Sequence, residues 1–415
     1  MHQRTWLSLL TFPLVATFTY PVLVRPSDPP RVEVKSTIQD PLAGLSDIQD
    51  VLAMVRDNYV DAPDMEKVIS GGIQGTLERA HPLNAYLSPE ELRLPDPGPA
   101  DPGLTLRKSQ IYAQVVSVAS NGPAAKAGIQ VGDVIRKLDG QSIGTLSAWS
   151  LERRLRGAEG SELSLLWYDN SVGSAKKITL KREKASVQGP IAVRKDPRAT
   201  VLTLTDLGTG RAQELRNLLG TLDGKLPLIL DLRRCAGGDL SESARLAGLF
   251  LGKAPFLTYQ EAGKPDRAME TSGDKGPAFA KVAVLTGLGT VGPAEALAAA
   301  MKKQALPSFG ERTSGMGAER TRFLLRQGGA VEIVNKRWLG AGGEKLDRQG
   351  FTPEFPLYGF RIDRNAPEAD PLPKILEQLD KKLESKPEAK AQFRTGRGKP
   401  LIIGRALGGS EREIA

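Results

Sequence analysis

The residues that could do chemistry in this chain sit in loops that follow apolar runs. Asp231-Leu-Arg-Arg-Cys235-Ala-Gly237-Gly238 closes the run 226–232. Adjacent glycines after a buried strand let backbone N–H groups point into a cavity, which is what stabilising a tetrahedral oxyanion demands. The same glycines permit a turn into a helix, whose start is marked by Asp239 with Glu242 three residues on. The two roles are compatible. Cys235 is a nucleophile if ionised and a small buried hydrophobe if not. It is the only cysteine, so no internal disulfide forms. Further along, Thr290, Ser308 and Ser314 supply hydroxyls, and Lys302 and Lys303 supply amines. A Lys pair of this kind ordinarily lies on a solvated face. The histidines are His2 and His81 alone. A His/Cys metal cluster is thereby excluded, and a Ser-His-Asp triad would have to use His81. The plainer reading of His81 is a turn residue before Pro82. No phosphate-binding Gly-rich loop with a following Lys-Ser/Thr occurs, and no His-Glu-x-x-His. No cofactor or metal is expected.

The elements that must position these residues follow from periodicity. Residues 44–92 read as helical, with Ile48, Leu52 and Val55 on one face and Val68, Gly72, Ile73 and Leu77 on another. A Pro/Gly/Asp-rich stretch, 95–102, marks a boundary. Residues 199–207, 226–232 and 281–285 are short apolar runs, each followed by a turn and a helical pattern. Such runs suit strands buried on both faces of a largely parallel sheet. Residues 321–325 and 331–334 flank Gly328-Gly329 as in a hairpin, and 372–383 reads as a last helix.

The 415 residues suffice for two or three domains, and 40% hydrophobic content argues a globular protein. Residues 1–24 read as an export signal: Arg4 gives a positive start and residues 6–24 carry no charge. That run is also long enough to span a bilayer, so cleavage and retention as an anchor both stay open. Export to the periplasm or cell envelope is expected. Residues 25–43 form a proline-rich linker. The net charge of +9 includes a basic tail, 386–415, read as solvated; no nucleic-acid partner is expected.

Residues 103–184 resemble a PDZ domain, most closely in Asn121-Gly-Pro-Ala-Ala-Lys-Ala-Gly-Ile-Gln-Val-Gly-Asp-Val-Ile-Arg-Lys-Leu-Asp-Gly140. Such a domain adds an extended C-terminal peptide to an open sheet edge. The resemblance places the carboxylate-binding loop at Gly103-Leu104-Thr105-Leu106 and the other groove wall on the helix with Trp149, Leu151 and Leu155. The plainer reading makes Leu104 and Leu106 core residues of a first strand. A helix over 147–156 ending at Gly157 is expected.

The surrounding phrases resemble the carboxyl-terminal processing peptidases, or tail-specific proteases. They include Asn58-Tyr-Val-Asp61, Ala85-Tyr-Leu-Ser-Pro-Glu-Glu91, Asp231-Leu-Arg-Arg234 with Gly237-Gly238, and Gly350-Phe-Thr-Pro-Glu354. The resemblance implies a helical N-terminal region (44–94), an inserted PDZ domain and a protease-type α/β domain (185–385). In that family a serine stands three residues before a helix glutamate, here Glu295, and a lysine base follows a Gly-Glu pair, here Gly310-Glu311. This chain has Gly292 and Met316 at those places. Glycine has no side chain with which to attack, and a thioether accepts no proton of use. Gly292-Pro293 does suit the start of a helix. The expectation is an exported protein that binds C-terminal tails of envelope proteins without cleaving them, with Gly237 and Gly238 as a remnant oxyanion loop. Two alternatives stay open: an active serine-type endopeptidase with relocated groups, and a small-molecule or lipid carrier using the cleft.

Overall fold

The structure is a computed structural model that describes residues 44–170, 173–184, 189–357 and 370–384. The leader, the linker 25–43 and the basic tail lie outside the described residues. The chain divides into two compact units at Asp64. The first contributes helix α1 (Leu45–Asn58), closed by Tyr59 in extended conformation. The helical region expected over 44–94 therefore spans two units. It is also interrupted: α2 (Met65–Ala80) is followed by strand β1 (Ala85–Leu87) and the short helix α3 (Pro89–Arg93). Helix α3 starts at a reciprocal capping box in which Ser88 and Glu91 satisfy each other's backbone N–H.

The PDZ region follows as β2 (Ala100–Asp101), β3 (Leu104–Lys108), β4 (Ala113–Val118), α4 (Pro123–Lys126), β5 (Val134–Leu138), β6 (Gln141–Ser142), α5 (Ala148–Leu155), β7 (Glu162–Asp169), β8 (Ser174–Lys181) and β9 (Glu183–Lys184). Its antiparallel sheet runs β3-β4-β5-β7-β8. Strand β7 alternates outward and buried residues, sending Leu163, Leu165 and Trp167 into a core shared with Ile135, Leu138, Leu151 and Leu155. Helix α5 stops at Leu155 because Arg156 turns extended, not because Gly157 caps it. Gly157 instead exchanges hydrogen bonds with Ala100 and has Arg182 where a Cβ would go.

The remaining elements are β10 (Ala192–Asp196), β11 (Ala199–Thr203), α6 (Arg211–Leu219), β12 (Leu228–Asp231), α7 (Leu240–Leu251), β13 (Pro255–Glu261), β14 (Arg267–Glu270), β15 (Val282–Thr286), α8 (Pro293–Lys303), β16 (Ser308–Gly310), β17 (Ala318–Leu324), β18 (Ala330–Gly340), β19 (Phe355–Pro356) and α9 (Leu372–Glu384). The central sheet runs β10-β11-β12-β15-β16-β19 and is parallel except for the edge strand β10. Alternate residues of each strand feed two cores. Leu202, Leu228, Leu230 and Val284 pack toward α6, α7 and α8, while Val201, Ile229, Ala283 and Leu285 pack toward α9. Burial on both faces explains the continuous apolar runs. A second, antiparallel sheet, β1-β18-β13-β14 with β17 on β18, lies beside α8. Strand β1 joins it by pairing Ala85–Leu87 with residues far along the chain, at Ala330 to Glu332.

Candidate functional site

Two strand-to-helix loops of the central sheet meet at the first turn of α8. Its N-cap, Gly292, has φ 60° and ψ −114°, which residues with a Cβ rarely adopt. Glu295 follows in the first turn and is fully buried. One carboxylate oxygen accepts the N–H groups of Gly292 at 3.1 Å and Met316 at 2.9 Å. The other accepts the N–H of Gly315 at 2.7 Å and the hydroxyl of Thr313. Burial pushes the carboxyl upward from the ordinary glutamate range, and the four donors pull it back. Glu295 thus fastens the loop before α8 to the loop that carries Met316. A Cβ placed on Gly292 would lie 3.8 Å from the Met316 carbonyl oxygen, so the two positions face each other with space between them. Position 292 carries only a hydrogen atom, and Met316 is a half-buried thioether residue.

The loop after β12 borders the same place. Gly237 and Gly238 both have positive φ, 86° and 96°. Gly238 is compelled: a Cβ there would lie 2.1 Å from the Leu207 carbonyl. Leu207 donates to the Gly237 carbonyl and accepts from the Asp239 N–H, each at 3.2 Å, which leaves the Gly238 amide facing away from it. Neither glycine amide meets an acceptor among the described residues. The turn-forming role is therefore visible, and two free amides accompany it. Asp239 caps α7 by accepting the Glu242 N–H at 2.7 Å.

The other candidate nucleophiles are spent on structure. Thr290 donates its hydroxyl to the Leu232 carbonyl at 2.7 Å, and Ser314 donates to the Thr290 carbonyl at 3.1 Å. The Ser308 hydroxyl accepts the Glu354 N–H at 2.8 Å. Lys302 donates to the Thr352 carbonyl at 2.9 Å and lies over the Phe351 ring. Cys235 is fully buried, and desolvation pushes its thiol far up, so it holds its proton. Its backbone does the work: the Cys235 carbonyl accepts the Val291 N–H at 2.9 Å, pinning the segment before Gly292. His81 accepts the Leu83 N–H on Nδ1 at 3.1 Å, which leaves its Nε2–H to donate to Asp347 at 3.2 Å. Among the described residues, none of these hydroxyls nor the thiol hydrogen-bonds to an amine or imidazole.

In the PDZ region, β3 pairs only with β4 among the described residues, so its outer edge is open. Leu104 and Leu106 are half-buried against the PDZ core. Gly103 is fixed by a positive φ of 75° and by Gly122, whose Cα would lie 3.3 Å from an added Cβ. Its N–H donates to Asp101 Oδ1 at 2.6 Å, so this amide is not offered to a ligand carboxylate. The expected groove wall needs a second correction. Leu151 and Leu155 are core residues, and Trp149 packs against Ala85, Leu87 and Ala330. The PDZ region also touches the central site. Arg107 of β3 donates to the Ser314 carbonyl at 2.5 Å and to Gln114 at 2.6 Å, and a Cβ on Gly289 would lie 3.4 Å from the Val116 carbonyl.

Beside Gly238 and Pro293 opens a cavity of about 430 Å³ walled by Leu240, Tyr259, Met269 and Trp338, with Glu319 at its edge. Glu319 accepts the Trp338 indole N–H at 3.0 Å. Sequence reasoning missed these walls, because they come from α7, β13, β14, β17 and β18, with Tyr259 and Trp338 79 positions apart, and no motif joins them. Among the described residues no group of His, Cys, Asp and Glu could hold a metal ion, and no helix is long and apolar enough to cross a membrane.

A parallel sheet with its candidate loops at the strand ends, preceded in the chain by a PDZ domain, defines a PDZ-bearing, protease-type α/β protein. The comparisons agree. Residues 198–357 match Peptidase family S41 and residues 114–169 match the PDZ domain. The chain is 27% identical over 325 residues to a "Probable CtpA-like serine protease" of Staphylococcus aureus (strain MSSA476), covering 76% of this chain and 65% of that protein. It is 26% identical over 317 residues to the protein of the same description in Staphylococcus saprophyticus, covering 74% and 64%. The chain thus spans a little under two thirds of these curated relatives. A solved "Photosystem II D1 C-terminal processing protease" matches with TM-score 0.60 at 20% identity, covering 76% of this chain and 93% of that one, a likeness of fold. These matches support a carboxyl-terminal processing peptidase family with a PDZ domain.

Proposed function

We propose that this protein binds the C-terminal tails of other proteins and does not hydrolyse them. One observation carries the reading: the two positions that face each other across Glu295 hold Gly292 and Met316, so no nucleophile and no base meet there. The open β3 edge supports strand addition by an extended peptide. The cavity beside Pro293 offers apolar and aromatic walls for one of its side chains. The uncharged run 6–24 supports export, which puts the ligands in the cell envelope.

Peptides with free and with amidated C-termini, mixed with the full chain, separate the readings. Fluorescence anisotropy should report binding that favours the free carboxylate, and mass spectrometry should report intact peptide. Cleavage that disappears on point substitution within the chain would refute the non-hydrolytic reading. Binding that survives deletion of residues 103–184 would remove the PDZ region from it.

The cavity favours a second reading, a small-molecule carrier. Its volume of about 430 Å³ is that of a small-ligand site, but it opens broadly to solvent and mixes Asp239, Ser241 and Glu319 with its apolar walls. A retained small ligand in native mass spectrometry, absent after Trp338→Ala, would support that role.

A further inference from the structure

Strand β17 ends in two exposed apolar residues, Phe323 (45% exposed) and Leu324 (77%), and Leu325 (38%) follows directly. Successive strand residues point to opposite faces, so Phe323 and Leu324 leave both faces of the ribbon apolar. Soluble surfaces avoid such runs unless they serve contact. The tip is not loose. Leu325 and Gly329, and Gly328 and Leu325, are joined by hydrogen bonds of 3.1 Å. Gly329 lies so close to Leu87 that a Cβ would be 2.7 Å from its carbonyl oxygen. Arginines bracket the run. Arg322 pairs with Glu332 at 2.6 Å, and Arg326 has no acidic partner among the described residues.

We infer that this hairpin tip inserts into the interface of an anionic lipid bilayer. A folded protein partner covers one face of a ribbon, whereas a fluid apolar phase accepts both. Arg326, four residues from Arg322, meets lipid phosphates while the apolar side chains enter the acyl boundary. The uncharged run at residues 6–24 is long enough to span a bilayer, and where it is retained it would hold the tip at a membrane. The inference rests neither on peptide binding nor on the loss of the dyad.

The native Cys235 is buried, so a single surface cysteine can be labelled selectively. The full chain with Leu324→Cys carrying a nitrobenzoxadiazole dye is mixed with vesicles of phosphatidylglycerol and phosphatidylcholine in equal parts. A second sample carries the dye through Gln213→Cys, on the exposed side of α6. The expected result is a blue shift and protection from iodide quenching at 324 and neither at 213. Adding Arg326→Glu should raise the lipid concentration needed by roughly tenfold. No shift at 324, or equal shifts at both sites, overturns the inference. So does an equal shift with pure phosphatidylcholine. A shift that grows with protein concentration in the absence of lipid points to a second copy, and one produced by soluble tail peptide points to strand addition at β17; either also overturns it.

Discussion

The glycine loop after β12 and the pair Gly292/Met316 are neighbours, tied through the Cys235 carbonyl and the Val291 N–H, but stand in different relation to the fold. Gly238 has no freedom to change, because the backbone of Leu207 occupies the space of its side chain. Gly292 has open space where a side chain would go, with its nearest neighbour at 3.8 Å. The chemistry that a backbone performs, offering amides to an oxyanion, is therefore locked in by packing. The chemistry that side chains perform can be lost without disturbing the packing. Glu295 shows the same division. Fully buried, it takes its four donors from both loops, so the geometry of the pair persists where its reactivity does not.

The sharpest way to break this comparison is to put the side chains back. Gly292→Ser together with Met316→Lys should gain a fluorophosphonate adduct at position 292, whereas each single variant stays unlabelled. The positive φ at 292 costs the serine on the order of 1–3 kcal/mol, so the double variant unfolds earlier than the parent. If it folds and stays unlabelled, the free amides of Gly237 and Gly238 are not an oxyanion site. Gly238→Ala is the next largest effect. Backbone atoms at 2.1 Å cannot give way as a side-chain tip would, and a loss of about 4 kcal/mol or a failure to fold is expected in urea titration. Gly237→Ala has nothing within 4 Å of the added carbon and should lose only about 1–2 kcal/mol, for its φ alone. Equal losses at both positions would show that conformation, not crowding, keeps these glycines.

Glu295→Ala falls between them. It removes the acceptor from three N–H groups and one hydroxyl that remain buried, a loss of roughly 3 kcal/mol. Calorimetry of Glu295→Ala beside Thr313→Val bounds the hydroxyl's share, since the second variant removes that donor together with the acceptor of the Phe351 N–H.

Much of this contrast was readable before any coordinates. Residues 228–231 and 282–286 declare themselves as strands because burial on both faces writes an unbroken apolar run. The capping glutamate of α8 is visible as Gly292 and Glu295 three apart. The rest depends on partners distant in sequence. Nothing in Gly315 or Met316 says that their amides serve a carboxylate 20 residues back. Ala85–Leu87 is too short to show a strand period, and its partner strand β18 lies some 240 residues on. Asp101 takes the Gly103 N–H by a contact two residues long, and that contact changes what the PDZ loop can offer. Trp149 reads equally well as a groove wall or a packing residue until Leu87 and Ala330 arrive beside it.

The smallest effect asks whether the PDZ region and the facing pair are one system. Arg107 sits on the open-edged strand β3, and its guanidinium reaches the Ser314 carbonyl. The next two amides along that loop, of Gly315 and Met316, are the ones Glu295 holds. A peptide that added to β3 would therefore run beside the residue that grips the Met316 loop. Arg107→Ala removes two charge-assisted hydrogen bonds; loss of the one to the Ser314 carbonyl, about 1.5–3 kcal/mol, should raise hydrogen exchange of amides 313–317 by roughly tenfold. Arg107→Lys keeps the charge but not the fork that also holds Gln114, and should fall between. If a C-terminal peptide alters exchange over 313–317 in the parent and not in Arg107→Ala, the contact transmits occupancy of the edge to the pair. If exchange there ignores Arg107 altogether, the two regions share a surface and nothing more.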